Sequence, residues 1–180
     1  MRVVHIVLAV GVVGLMNAPL QAQEDLFPLR SGLWGGFGIG GGYGEGAGEY
    51  QGGGAFNAQI GGTLNPKLAI GADLSTWAWK SNGLTVSANT LSGAVTFFPS
   101  PTGGFFLKGG VGFAATVNEV NQGGGKDTQT DSGLGIVLGV GQDVRLGMAL
   151  FLTPAFTFMS QRIGEENLEF FLFTLGLTWR

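Results

Sequence analysis

The chain has 180 residues, of which 35 are glycine, 12% are charged and none is cysteine, and its formal net charge is −3. Glycine thus makes up about a fifth of the chain against a usual ~7%, and charged residues have about half their usual share. A chain this apolar, with a mean hydropathy of +0.30, is not disordered and does not suit an ordinary water-facing surface. The acidic balance argues against binding of nucleic acid, which needs a basic face. The missing cysteine excludes a disulfide framework.

Residues 1–22 have the order of a secretory signal peptide. They begin with Arg2, continue through an apolar run at 6–16 and end in small residues, which predicts cleavage near Ala22. One domain over residues 23–180 would remain, with neither cysteine nor histidine, because His5 is the only histidine. An uncleaved anchor helix is the alternative, but the apolar run is shorter than the ~20 residues that cross a bilayer.

Beyond this segment, apolar residues alternate with small or polar ones at a period of two, which is typical of strands with two different faces. Eight strands are predicted, at 33–43, 55–64, 68–79, 90–98, 105–117, 133–145, 149–159 and 167–180. Most of them have the ~10 residues that a tilted strand needs to cross a bilayer. No run of 18 apolar residues occurs after residue 22, so a transmembrane helix is not predicted.

The last strand shows the alternation most clearly. One face is wholly apolar, and the other becomes smaller and more polar toward the C-terminus: Phe171, Phe173, Leu175, Leu177 and Trp179 against Phe170, Leu172, Thr174, Gly176 and Thr178. This pattern favours lipid on one side and a crowded interior on the other. A central strand of a soluble sandwich is the alternative. The first strand has a face of glycines at 36, 38, 40 and 42, which suits a narrow barrel whose interior is filled by bulky side chains.

The predicted connections alternate in length. Those after strands one, three, five and seven are long and polar, and those after strands two, four and six are brief and rich in proline or glycine. Long exterior loops and short periplasmic turns are typical of outer-membrane barrels. The prediction is therefore an all-β, eight-stranded, antiparallel, up-and-down transmembrane barrel, with a soluble secreted β-barrel binding protein as the remote alternative.

The chain resembles the small outer-membrane β-barrel proteins of the OmpA/OmpX type. The resemblance covers residues 33–180 and rests on the strands FFLKGGVGF and GLGIVLGVG and on the final LGLTWR. It implies location in the outer membrane, contact with its lipid and lipopolysaccharide, and a C-terminal strand read by the barrel-assembly machinery. The residues that match this assembly signal are Phe171, Phe173, Gly176 and Trp179, although the chain ends on Arg180 where the family usually has an aromatic residue.

Four ionisable residues fall on the predicted inner faces: Asp73, Lys108, Asp143 and Arg145. Buried charges need partners, so these residues predict a paired structural plug in the lumen. We expect Lys108 and Asp143, on neighbouring strands, to approach each other. A path for a solute or a proton is the alternative.

Three kinds of function are compatible with such a barrel. The first is a structural or surface-interaction protein with a closed or nearly closed lumen, whose acidic exterior loops contact an unknown extracellular ligand or lipopolysaccharide. The second is transport of small apolar solutes through the barrel. The third is catalysis, which is not predicted because the exported domain has no histidine. The sequence predicts no cofactor and no metal site.

Overall fold

A computed structural model describes residues 30–46, 49–81, 83–122 and 125–180. The predicted signal peptide lies outside the described residues. The strands are β1 (Leu33–Gly46), β2 (Glu49–Asn65), β3 (Leu68–Ser81), β4 (Leu84–Phe97), β5 (Phe105–Gln122), β6 (Gly125–Gln142), β7 (Val144–Arg145), β8 (Leu150–Ile163) and β9 (Glu166–Trp179). Within the described part of the chain, no helix is long and apolar enough to cross a membrane.

The strands close into a ring. From β1 to β6 each strand pairs antiparallel with the next, β6 pairs with β8, β8 pairs with β9, and β9 pairs with β1. The two-residue β7 follows β6 after an interruption at Asp143 and pairs with β8. Eight long strands therefore form one closed antiparallel barrel, and the predicted fold class is confirmed. Closure leaves no unpaired sheet edge around the wall, as hydrocarbon requires.

The apolar side chains are distributed on both sides of the wall. On β9, Phe171, Phe173 and Leu175 are 38–49% exposed on the outside, while Phe170 and Leu172 between them are buried inside. Large exposed apolar residues occur on the outer face of every long strand from β1 to β6 as well. A continuous apolar exterior on a closed barrel is the surface that faces lipid.

The connections differ from those predicted. At the end where long loops were expected, only two residues separate β1 from β2, β3 from β4, β5 from β6, and β8 from β9. The strands continue through segments expected to be loops, and Asn118 pairs with Gln129 within residues 118–132. The prediction was wrong because backbone ladders do not require apolar side chains. At the other end, residues 98–104 form the longest connection between described strands.

Glycines on the inner face make room for side chains that cross the lumen. A Cβ atom at Gly44 would meet the ring of Phe170, and one at Gly53 would lie 2.6 Å from the indole nitrogen of Trp77. The glycine surplus therefore has a steric cause: a narrow barrel can hold aromatic rings only where facing positions lack side chains.

Substitution of Gly53 with valine is expected to lower the free energy of unfolding by about 1–3 kcal/mol, since the added atoms would collide with Trp77 and with the Ala78 carbonyl. The matched control is Gly93→Val, because a Cβ at Gly93 has no atom within 4 Å. Urea unfolding in lipid vesicles measures both. Equal midpoints for the two variants would contradict the steric explanation.

Candidate functional site

The two ends of the barrel differ. The first is called the terminal end. It contains Arg30, which precedes β1, Arg180, which follows β9, and residues 98–104. At the second, called the hairpin end, lie the four two-residue connections. Inner side chains alternate with outer ones along each strand. The inner side chains fill the lumen between the two ends in successive sections.

An apolar plug fills the hairpin-end half of the lumen. It consists of Ala55, Trp77, Val86, Ala88, Val137, Met159, Phe170 and Leu172. The ring centroids of Trp77 and Phe170 are 5.3 Å apart with the planes tilted by 45°. Contacts of this kind between aromatic rings stabilise a core beyond the burial of their area.

A glutamine bridges the strands beside this plug. Gln161 is fully buried; its Nε2 donates to the Asn89 carbonyl at 2.9 Å and to Thr90 Oγ1 at 3.0 Å, and its Oε1 accepts from Thr116 Oγ1 at 3.0 Å. The amide thus ties β4, β5 and β8 together across the lumen. The sequence does not predict this bridge, because one glutamine at an inner position of a strand has no distinctive signature.

The first buried ion pair joins β5 to β3. Lys108 Nζ lies 2.5 Å from Asp73 Oδ2, and Ser75 Oγ donates to Asp73 Oδ1 at 2.8 Å. Both charged side chains are at most 5% exposed. Both carboxylate oxygens of Asp73 therefore have a donor, which is the condition for holding a charge inside a barrel.

The second ion pair lies closer to the terminal end. Arg180 Nη2 donates to Asp143 Oδ2 at 2.7 Å, and Thr153 Oγ1 donates to Asp143 Oδ1 at 2.8 Å. The expected approach of Lys108 to Asp143 is therefore wrong. Lys108 lies opposite Gly139 in the register of β5 and β6, and Asp143 is four residues further on, about 13 Å at ~3.3 Å per residue.

Arg145 does not join these lumen pairs. It is half-buried at the end of β7, and its Nε donates to the Gly147 carbonyl at 2.8 Å in the following turn. Arg180, which sequence analysis treated only as an unusual terminal residue, occupies the role expected of Arg145. A charge count did not indicate Arg180, because Asp73, Lys108, Asp143 and Arg145 already balance as two acids and two bases.

Aromatic rings and guanidinium groups fill the terminal end. The Arg30 guanidinium lies 3.7 Å from the Phe98 ring centroid and donates to the carbonyls of Pro101, at 2.9 Å, and Gly103. The Arg180 guanidinium lies 4.7 Å from the same ring. Burial and, secondarily, Arg180 lower the pKa of Arg30 to about 10, so Arg30 remains a cation at neutral pH. Trp34 and Phe106 complete this cluster.

Little free space remains in the polar section. The cavity beside Lys108, Asn57 and Gln59 has a volume of about 10 Å³. That is the size of a single water site.

The hairpin end opens into a much larger cavity, called the vestibule, of about 600 Å³. Its lining consists of Glu45, Leu84, Val86, Thr116, Asn118, Asp131, Ile163, Glu166, Asn167 and Leu168. Val86 belongs both to this lining and to the apolar plug, so the plug forms the floor of the vestibule. Glu45 and Asp131 lie outside the strands predicted from the sequence, which did not predict a cavity there.

The family model of the outer membrane protein beta-barrel domain matches residues 6–180. The chain belongs to the outer membrane protein beta-barrel family. It is accordingly a protein of the outer membrane, as predicted. No curated protein sequence matches the chain.

Solved outer-membrane barrels have a similar fold. Neisserial surface protein A superposes with a TM-score of 0.62 at 15% identity, covering 83% of this chain and 97% of its own. The attachment invasion locus protein Ail of Yersinia pestis superposes with a TM-score of 0.62 at 9% identity, covering 83% and 99%. At these identities the likeness concerns the fold.

In this member of the outer membrane protein beta-barrel family, the predicted assembly signal lies on β9. Phe171, Phe173 and Trp179 point outward, whereas Gly176 lies on the inner face opposite Gly38 of β1. Recognition of this strand by the assembly machinery remains a prediction. Among the described residues, no group of three or more histidine, cysteine, aspartate or glutamate side chains could hold a metal ion.

Proposed function

We propose that this chain is a structural and surface-interaction barrel of the outer membrane, with a closed lumen and a contact surface at its hairpin end. The observation that carries the proposal is the filled interior. The apolar plug, two ion pairs and the aromatic cluster around Phe98 follow one another along the lumen. An eight-stranded barrel is just wide enough for its own side chains to fill it. This filling disfavours transport of apolar solutes.

Eight strands place both ends of the barrel domain on one side, and the strand hairpins extend furthest on the other side. We assign the extended hairpins to the exterior, where the longer segments of such barrels lie. The hairpin end would then face the outside of the cell. Here strand extensions supply the exterior surface that loops supply in other barrels. β5 and β6 have 18 residues each, and β8 pairs with β6 only from Leu134 onward, so residues 125–133 of β6 rise above the rim.

The composition of this surface restricts its partners. Lipopolysaccharide and outer-membrane lipid surround the barrel wall, and an extracellular ligand would meet the hairpin end. Ail has been crystallised with the heparin analogue sucrose octasulfate, a polyanion. The carboxylates of Glu45, Asp131 and Glu166 at the mouth would repel such a ligand here, so we infer a contact partner of a different charge. The role involves no catalysis.

A shortened β5–β6 hairpin tests the proposal. Deleting residues 119–122 and 125–128, which pair with each other, leaves two strands of 14 residues, the length of β3 and β4. We expect wild type and variant to run as heat-modifiable barrels and to give no step conductance in planar bilayers. Only the wild type should bind surfaces coated with a positively charged extracellular-matrix protein. Stable open-channel steps in the wild type would favour transport instead, and equal binding by both proteins would overturn the contact role of the hairpin.

A further inference from the structure

The vestibule is an open cavity lined by both polar and apolar side chains. Its volume of about 600 Å³ falls within the range of small-molecule pockets. Leu84, Val86, Ile163 and Leu168 supply the apolar part of the lining, and six polar or charged residues supply the rest. The apolar plug, of which Val86 is a member, stops a bound molecule from passing further into the lumen.

The charge of the lining is one-sided. Glu45, Asp131 and Glu166 contribute three carboxylates, and none of the described residues that line the vestibule is a lysine or an arginine. Glu45 and Glu166 lie on the neighbouring strands β1 and β9, and Asp131 lies on β6. The three acids therefore share the side of the mouth that runs from β6 through β8 and β9 to β1. A pocket walled by one sign of charge raises the local concentration of the opposite ion. The vestibule is therefore complementary to a cation.

The lining also indicates which kind of cation fits. A metal ion needs several oxygen ligands converging on one point, and the described residues contain no such acidic group. The apolar floor formed by Leu84 and Leu168 would have no role in binding a hydrated ion. An organic cation uses both features, because its ammonium group faces the carboxylates while its hydrocarbon part covers the floor.

We propose that the vestibule binds a small organic cation, an ammonium group carried on an aromatic or short aliphatic body. The proposal rests on the proposed function only in assigning this mouth to the cell exterior. The hydrocarbon part lies on Leu84, Val86 and Leu168. The ammonium lies nearest Glu166 and Glu45, at the rim of the cavity.

Isothermal titration calorimetry of the intact barrel in phosphatidylcholine nanodiscs tests this site with two probes of nearly equal shape. Benzylammonium is expected to bind saturably at low ionic strength. Uncharged benzyl alcohol is expected to bind about tenfold more weakly, the factor that corresponds to losing one charge-assisted contact. Added salt should weaken the binding of benzylammonium and leave that of benzyl alcohol unchanged, because ions screen exposed charges.

Two adjacent glutamates provide a matched pair of variants. Glu166 lines the vestibule, whereas Glu165 is exposed in the preceding turn and does not. Glu166→Gln should weaken the binding of benzylammonium several-fold, and Glu165→Gln should leave it unchanged. Leu84→Asn should weaken the binding of both probes by making the floor polar. Heat-modifiable gel mobility shows that each variant is folded.

Three results would overturn the proposal: no saturable binding of benzylammonium, equal affinity for benzyl alcohol, or equal losses for Glu165→Gln and Glu166→Gln. The last would mean that the acidic surface attracts cations without a site. Such a failure leaves the conductance and hairpin-deletion results intact. Conversely, an open channel in the bilayer would overturn the proposal of a closed lumen. The difference in benzylammonium affinity between Glu165→Gln and Glu166→Gln could still be measured.

Discussion

Replacement of Lys108 with methionine is expected to lower the free energy of unfolding by about 3–5 kcal/mol, the usual cost of removing one partner from a buried ion pair. Asp73 is 1% exposed, and without Lys108 its charge would keep only the hydroxyl of Ser75 as a side-chain donor. Methionine has nearly the length of lysine, so packing is largely kept. Urea unfolding in lipid vesicles measures the loss.

Two further variants separate the cost of the unpaired buried charge from other effects of replacing a lysine with methionine. In the double variant Lys108→Met, Asp73→Asn neither charge remains, and most of the lost stability should return because no unpaired carboxylate is buried. Lys80→Met removes the same charge from an exposed outer position of β3 and should leave the unfolding midpoint unchanged. If Lys108→Met were no more harmful than Lys80→Met, the ion pair would have no structural role.

Replacement of Trp77 with alanine is expected to cost a similar amount, about 3–5 kcal/mol, as for other buried tryptophans. Trp77 is fully buried and packs on Phe170 in the centre of the apolar plug. Gly53, which faces the indole, has no side chain that could move into the space, so a cavity would remain.

Trp179 provides the matched control, since it has the same side chain on the outer face of β9 and is 48% exposed. Trp179→Ala should cost clearly less, because lipid chains occupy the vacated space. Unfolding midpoints measured in the same vesicles compare the two. A larger loss for Trp179→Ala would show that the barrel is stabilised mainly by its contact with lipid rather than by its filled lumen.

The sequence predicts the wall of the barrel well because lipid and lumen place different demands on alternate residues. On β3, for example, Leu74 faces out and Asp73 faces in, as the alternation indicates. Beyond the bilayer both faces meet water, so the period-two signal disappears while the backbone ladder continues. For that reason the strand ends near Asn118 and Gln129 could not be predicted, and the sequence predicts loops where the structure has hairpins.

The lumen contacts were predicted only in part. Alternation indicates that Lys108, Asp73 and Asp143 point inward, but the choice of partner depends on the stagger between strands. That stagger arises from closing a tilted sheet into a ring and leaves no mark on any one strand. The position of Arg30 at the lumen mouth could not be predicted either, because this residue precedes the first strand. It is held there by hydrogen bonds that its guanidinium donates to the carbonyls of residues 100, 101 and 103.

The closed antiparallel ladder has a consequence for the evolution of such a protein. Every strand of the wall is held to two neighbours by backbone groups, which all amino acids except proline supply equally. The outer face requires only that its side chains be apolar, so one can replace another with little effect. Substitutions should therefore accumulate rapidly on the lipid side. They should accumulate slowly at inner positions such as Gly53 and Lys108, where a neighbouring side chain would have to change at the same time.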